Sequence, residues 1–230
     1  MHKKTIVVVG ASRGIGYEMV KLFAKNSDNE VIALSRNKEK MEQNFQGLKN
    51  VHCFAFDLSH SVFTQAQAIF SNLNPIDILV NNAGKLVNKA FTELSHEDIQ
   101  LCYQVNVIGV METVQAALPK MLPTNGHIVN ISSMGGFQGS VKFAGLSAYS
   151  TSKAAVCSFT ELFSEEYKDA PISMNCLCLG AAQTEMLDEA FPGYQAPVSA
   201  EKMAEFIVDF SLNANQWIKG KILPISLSTP

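Results

Sequence analysis

Short apolar runs recur along this 230-residue chain, most of them bounded by glycine, asparagine, serine or proline, with apolar positions spaced three and four apart between them. Continuous apolar runs of that length predict strands buried on both faces, and the wider spacing predicts amphipathic helices. Thr5 to Val9 is the first strand, and Tyr17, Val20, Leu22, Phe23 and Ala24 mark the helix after it. Further strands are predicted at Glu30 to Leu34, Val51 to Phe56 and Ile76 to Val80, with a helix over Val62 to Leu73. From Ser95, an N-cap type with Asp98 three residues on, a long helical pattern runs toward Leu118, and Pro119 and Pro123 mark its end. Asn106 and Gly109 lie inside it and are poor helix formers, so the pattern calls for a kink or a function there. Gly126 to Ile131, Ile172 to Leu179 and Gly220 to Leu227 complete seven strands, with helices at Tyr149 to about Tyr167 and Ala200 to Leu212. This alternation predicts an α/β fold: one domain over residues 1–230, with a doubly wound, mainly parallel sheet and helices on both faces.

Composition narrows the partners. Hydrophobic residues make up 47% and charged residues 17%, which fits a large buried core and excludes a disordered chain. A net charge of -3 gives no electrostatic argument for nucleic acid. The apolar run after Lys3 and Lys4 stops at Gly10, too short for a signal peptide, and no stretch approaches a membrane span. The five cysteines show neither a CxxC pair nor metal-ligand spacing, and Cys176 and Cys178 read as core residues of a strand. These features predict a cytoplasmic protein with no metal site and no membrane contact.

The candidate chemistry lies where strands end. Gly10, Ala11, Ser12, Arg13, Gly14, Ile15 and Gly16 join the first strand to its helix, and glycines there let backbone amides approach a pyrophosphate. No Lys followed by Ser or Thr comes after the final glycine, which disfavours a Walker-type loop. The second strand ends at Ser35 and Arg36, without the acid that a NAD-binding domain usually carries for the ribose hydroxyls. Arg36, together with Arg13, could instead hold a 2′-phosphate, which predicts NADP(H) in preference to NAD(H). Asn81 to Gly84 is a polar, small turn after the fourth strand, and the fifth strand delivers Ser132 and Ser133 to its C-terminal end. Tyr149 and Lys153, four residues apart on a helix, share one face and pair a phenol with an ammonium.

With the glycine turn, Asn-Asn-Ala-Gly, Asn106, Ser133 and the Tyr149–Lys153 pair in one order, the chain resembles the short-chain dehydrogenase/reductase family over nearly its whole length. Its glycine pattern is that family's GxxxGxG. The resemblance implies a single-domain Rossmann fold and a catalytic set of Asn106, Ser133, Tyr149 and Lys153. Tyr149 would donate a proton to a substrate carbonyl as the nicotinamide delivers hydride, and Ser133, preferred to Ser132, would bind the same oxygen. Lys153 would lower the phenol pKa and hold the nicotinamide ribose, and Asn106 would hold the helix bend and a water that relays protons to Lys153. For the cofactor the resemblance assigns Gly10, Ser12, Arg13, Gly14, Ile15 and Gly16 to the pyrophosphate and Arg36 to the adenosine phosphate. It assigns Asp57 and Leu58 to the adenine, Asn82, Ala83 and Gly84 to the adenosine side, and Thr184 to the carboxamide.

The chain departs from the family pattern in three places. Leu179–Gly180 replaces the usual Pro-Gly, the interval around Phe137 to Leu146 is enlarged, and the chain ends without the common glycine pair. The segment 185–199, in the substrate-loop position, has Met186, Leu187, Phe191, Pro192 and Tyr194 but no Lys or Arg. It predicts a small, largely apolar ketone or aldehyde, or the matching alcohol, packed against Met134, Phe137, Phe143, Phe191 and Tyr194. A noncatalytic NADPH-binding protein on the same fold is the alternative. A sugar-nucleotide epimerase would want a larger domain after the sixth strand. The resemblance also implies a homodimer or homotetramer, packed through the helices at Glu97 to Leu118 and Tyr149 to Tyr167.

Overall fold

The computed structural model describes residues 3–227. Seven strands form one parallel sheet: β1 (Thr5–Val9), β2 (Glu30–Ser35), β3 (Val51–Ala55), β4 (Ile78–Asn81), β5 (His127–Ser133), β6 (Ser173–Leu179) and a last strand, Ile222–Ile225. With β7 (Ala182–Gln183) and β8 (Val198–Ser199) forming a separate small ladder, that last strand is β9, and the sheet order is β3-β2-β1-β4-β5-β6-β9. The described residues thus have the expected Rossmann arrangement. Between β1 and β4 the strand order reverses, opening the crevice at the carboxyl ends where such sheets bind ligands.

Alternation along β1 builds two cores. Ile6 and Val8 face α1 (Gly14–Ala24) and its neighbour α8 (Ala200–Asn213), joined by Met19, Phe23, Ile207 and Phe210. Val7 and Val9 face the other side, where α3 (Val62–Phe70) and α5 (Gly109–Met121) contribute Phe70, Val114 and Met121. Each large side chain fully buried there is worth about 1.5–3 kcal/mol, which explains why unbroken apolar strands sit at the centre.

Three elements differ from the sequence expectation. A helix, α2 (Lys38–Asn44), follows β2, with Asn37 capping it by accepting from the Lys40 amide; only Met41 of this helix is buried, so its pattern carries little apolar signal. The long helix is divided: α4 (His96–Tyr103) starts at a Ser95–Asp98 capping box, residues 104–108 widen into a π turn, and α5 follows. Within the predicted substrate loop a short helix, α7 (Glu185–Ala190), is capped by Thr184. The predicted helix over Tyr149 to Tyr167 is α6 (Ser147–Glu166).

Candidate active site

β1 turns sharply at Gly10, whose φ of +86° brings it so close to the turn after β4 that an added Cβ would lie 2.7 Å from the Ala83 Cα. A Cβ on Gly16 would overlap the Gly10 carbonyl oxygen. These two positions therefore admit only glycine, for the close helix–strand approach that the pattern demands. The Asn82 side-chain amide donates to that same Gly10 carbonyl at 3.1 Å, and the Asn82 and Ala83 backbone amides donate to the Val9 carbonyl. The two turns lock together. Gly14, at φ +55°, faces the Thr184 methyl, which places the α7 cap beside the start of α1.

The N-terminus of α1 suits an anion. Arg13 stands at its cap position without capping it by its side chain, and no acid lies in the first turn. The first amides of a helix have no carbonyl a turn below them and carry the positive end of the macrodipole. The residues of the glycine turn thus fit the pyrophosphate of a dinucleotide.

The two arginines expected to act together differ in their partners. Arg36 is exposed at the end of β2. Arg13 instead reaches across to α7, with its guanidinium 2.5 Å from the Glu189 carboxylate, and that hydrogen bond raises the Arg13 pKa. Beside them Ser35 donates its hydroxyl to the Ser12 hydroxyl at 2.9 Å. Burial works against the charge of Asp57, but hydrogen bonds from Ser59 and the fields of His60 and Arg36 outweigh it and hold its pKa down. Leu58 turns its side chain into the core against α5, so it presents only backbone to the cleft; its carbonyl accepts from Gln104.

Tyr149, Ser133, Lys153 and Asn106 converge at the carboxyl ends of β4 and β5. Ser133 accepts from the Gly135 amide at 3.2 Å, and its hydroxyl stands near enough to the Tyr149 phenol to favour the ionised form. Ser132 faces the opposite way, buried and donating to the Lys153 carbonyl at 2.8 Å. Burial drives the Tyr149 pKa up to about 12, with Ser133 pulling against it. This corrects the expectation that Lys153 lowers it: the Lys153 Nζ lies 6.0 Å from the phenol ring centroid and donates to the Ile131 carbonyl at 2.8 Å. Burial also brings Lys153 itself down to about 8, against the opposing pull of nearby cysteines.

Asn106 sits fully buried in the π turn. Its carboxamide accepts from the Lys85 amide at 2.8 Å and donates to the Lys85 carbonyl and the Ser152 hydroxyl, both at 2.9 Å. One side chain thereby ties the bend, the turn after β4 and α6 together. Gly84 keeps the space between Lys153 and Asn106 open, for a Cβ there would lie 3.4 Å from Nζ and 3.5 Å from Oδ1.

The enlarged loop is held by Lys142, which donates to the Gly135 and Phe137 carbonyls at 3.0 and 2.6 Å. The turn at Gly180, lacking the usual proline, is pinned instead by its amide donating to the Ile225 carbonyl of β9 at 2.8 Å. Met134 is buried in a cluster with Val156 and three cysteines, out of substrate reach, and partly buried Phe137 packs against that cluster. Phe143 and Tyr194 remain exposed.

A buried chain of polar side chains escaped the sequence reading. Asn81 donates to Asn130 at 2.9 Å, and Asn130 donates to Thr160 at 3.0 Å, linking β4, β5 and α6 below the site. The one available signal was a polar Asn130 inside an apolar strand.

A family model described as short chain dehydrogenase matches residues 4–195. Oxidoreductase UcpA of Salmonella typhimurium is 33% identical over 80% of this chain and 72% of its own. The 3-oxoacyl-[acyl-carrier-protein] reductase FabG of Chlamydia pneumoniae is 33% identical over 80% and 75%. A solved short chain dehydrogenase of Burkholderia cenocepacia, in complex with NADP, superposes with a TM-score of 0.85 at 26% identity, covering 97% of this chain and 96% of that one. No helix among the described residues is long and apolar enough to cross a membrane. With the family model spanning most of the chain and the fold agreeing with it, the protein belongs to the short-chain dehydrogenase/reductase family of NAD(P)-dependent oxidoreductases.

Proposed function

We propose that this chain reduces a small, largely apolar ketone or aldehyde with NADPH, Tyr149 acting as the proton donor. The observation that carries this reading is the Tyr149–Ser133 hydroxyl pair, backed by Lys153 and Asn106 and opening beside the uncapped start of α1. A nicotinamide dinucleotide bound here supplies the hydride for the carbonyl carbon.

The chain's own residues do the rest. The amides from Ser12 to Gly16 hold the pyrophosphate, and Arg36 holds the 2′-phosphate, with Arg13 engaged by Glu189. Asp57 and the Leu58 backbone border the adenine, and Asn82, Ala83 and Gly84 border the adenosine side. Thr184 lies at the carboxamide. A phenol with a pKa of about 12 keeps its proton throughout the neutral range, so Tyr149 is loaded to donate to the carbonyl oxygen. Ser133 hydrogen-bonds the same oxygen as charge develops on it. Lys153 holds the ribose hydroxyls, and Asn106, in the helix bend beside Gly84, holds a water that relays protons to Lys153.

Glu185, Asp188 and Glu189 make α7 acidic, and Phe143 and Tyr194 present apolar surface, which favours a neutral substrate. Exposed Ile99 and Leu101 on α4, Ile108 in the π turn and Met111 on α5 support assembly into a homo-oligomer through those helices. The location we propose is the cytoplasm.

NADPH oxidation measured on a panel of ketones, aldehydes and quinones, with NADH in parallel, tests the reading. Tyr149→Phe is expected to cut kcat by about 10²–10⁴ while NADPH affinity stays within a few-fold. Wild-type turnover in that variant would remove Tyr149 from its role. Tight NADPH binding with no turnover on any panel member would favour the noncatalytic alternative.

A further inference from the structure

Behind the active-site helix lies a cluster of thiols with no part in the reaction above. Cys176 and Cys178 are two apart on β6 and therefore point to the same face. That face meets α6 at Cys157, one helical turn beyond Lys153. The Cys157 sulfur lies 3.9 Å from that of Cys176 and 3.5 Å from that of Cys178, and all three lie within 4.8 Å of one another. They are the one group of three or more metal-ligating side chains so placed among the described residues, and their walls are Met134, Val156, Phe137 and Ile222.

Coordination number and charge select the occupant. A structural zinc site takes four protein ligands. The polar side chain hydrogen-bonded to the cluster among the described residues, the Ser132 hydroxyl at 3.5 Å from the Cys157 sulfur, already donates to the Lys153 carbonyl. Three thiolates around a divalent ion leave one uncompensated negative charge in an apolar pocket, and around a monovalent ion they leave two, both costly. Lys153, the cation whose field reaches these sulfurs, has its ammonium on the Ile131 carbonyl. A trivalent thiophilic ion with three sulfurs is neutral. We infer that Cys157, Cys176 and Cys178 form a three-coordinate binding site for a trivalent ion of the arsenic(III) class. Three S–H and three As–O bonds of As(OH)₃ break, three As–S bonds form, and three waters leave, with no change of oxidation state.

Sodium arsenite incubated to equilibrium with the full-length protein tests this, read by native intact mass and by titration of free thiols. The wild type is expected to gain one arsenic less three hydrogens and to protect three of its five thiols. Cys157→Ser and, separately, Cys178→Ala should raise the arsenite concentration for half-occupancy at least about tenfold, since each removes one of three linked ligands. Cys53→Ser and Cys102→Ser should leave it unchanged. Circular dichroism verifies that each variant is folded, and the wild-type adduct and thiol count decide the matter even where one variant is not. Absence of the adduct from the wild type, or half-occupancy unchanged in a folded Cys157→Ser or Cys178→Ala variant, would overturn the assignment. So would saturation of the same three thiols by zinc(II) or copper(I) at lower concentration than arsenite.

Discussion

His127, at the start of β5 and fully buried, makes the stability of this protein depend on pH in a way the structure quantifies. Its Nδ1 lies 2.9 Å from the Ser211 carbonyl, so that nitrogen carries the proton, and its Nε2 lies 3.0 Å from the Asn175 side-chain nitrogen, so it accepts. The Asn175 oxygen cannot be exchanged into that place, because it accepts from the Lys221 amide while the nitrogen also donates to the Ile218 carbonyl. A second proton on the ring would set donor against donor in a dry core. Burial accordingly brings the His127 pKa from 6.5 down to about 4, with the Ser211 carbonyl opposing. Between those values the unfolded chain takes up a proton that the native chain refuses. The stabilisation is therefore complete above about pH 6.5 and is lost as pH falls toward 4. At roughly 1.4 kcal/mol per unit the whole effect is about 3 kcal/mol, most of it gone by about pH 4.5. Urea denaturation of the wild type and of His127→Gln, from about pH 7.5 to 4.5, isolates the contribution from the carboxylates common to both. The stability difference between the two proteins should shrink or invert by about 3 kcal/mol as pH falls. A difference that stays constant across that window would refute the reasoning.

Arg36→Ala should lower the ratio of kcat/KM for NADPH over NADH by roughly 10- to 100-fold, the worth of a charge-assisted contact to phosphate. An unchanged ratio would mean the 2′-phosphate is held elsewhere. Gly16→Ala forces a methyl into the Gly10 carbonyl, and calorimetric titration with either dinucleotide should show binding lost or a visibly lowered melting temperature; normal affinity with normal stability would contradict the packing. Asn106→Ala leaves the partly buried Lys85 amide without its acceptor and its carbonyl with only the Cys102 thiol, at a cost of about 1 kcal/mol or more, read as a lower urea midpoint. A midpoint equal to that of the wild type would show that the turn re-satisfies itself.

Much of this protein is local in origin. Apolar strands of Val, Ile and Leu broken by glycine turns determine a parallel sheet, since such strands must be covered on both faces. Gly10 and Gly16 were legible because only glycine tolerates the approach they make. Asn106 was legible as a misfit in a helix, and the π turn is the physical form of that misfit. Other features depend on groups far apart in the chain. The phenol of Tyr149 rises where the local pairing suggested a fall, because burial outweighs a lysine whose ammonium is drawn to a carbonyl of β5. Arg13 pairs with a carboxylate 176 residues away, and Met134 leaves the cleft for the core. The three thiols meet only because β6 packs under α6. Residue type and spacing determined the elements and the order of the motifs; tertiary packing decided burial, partners and charge state, since each depends on neighbours that spacing along the chain does not specify.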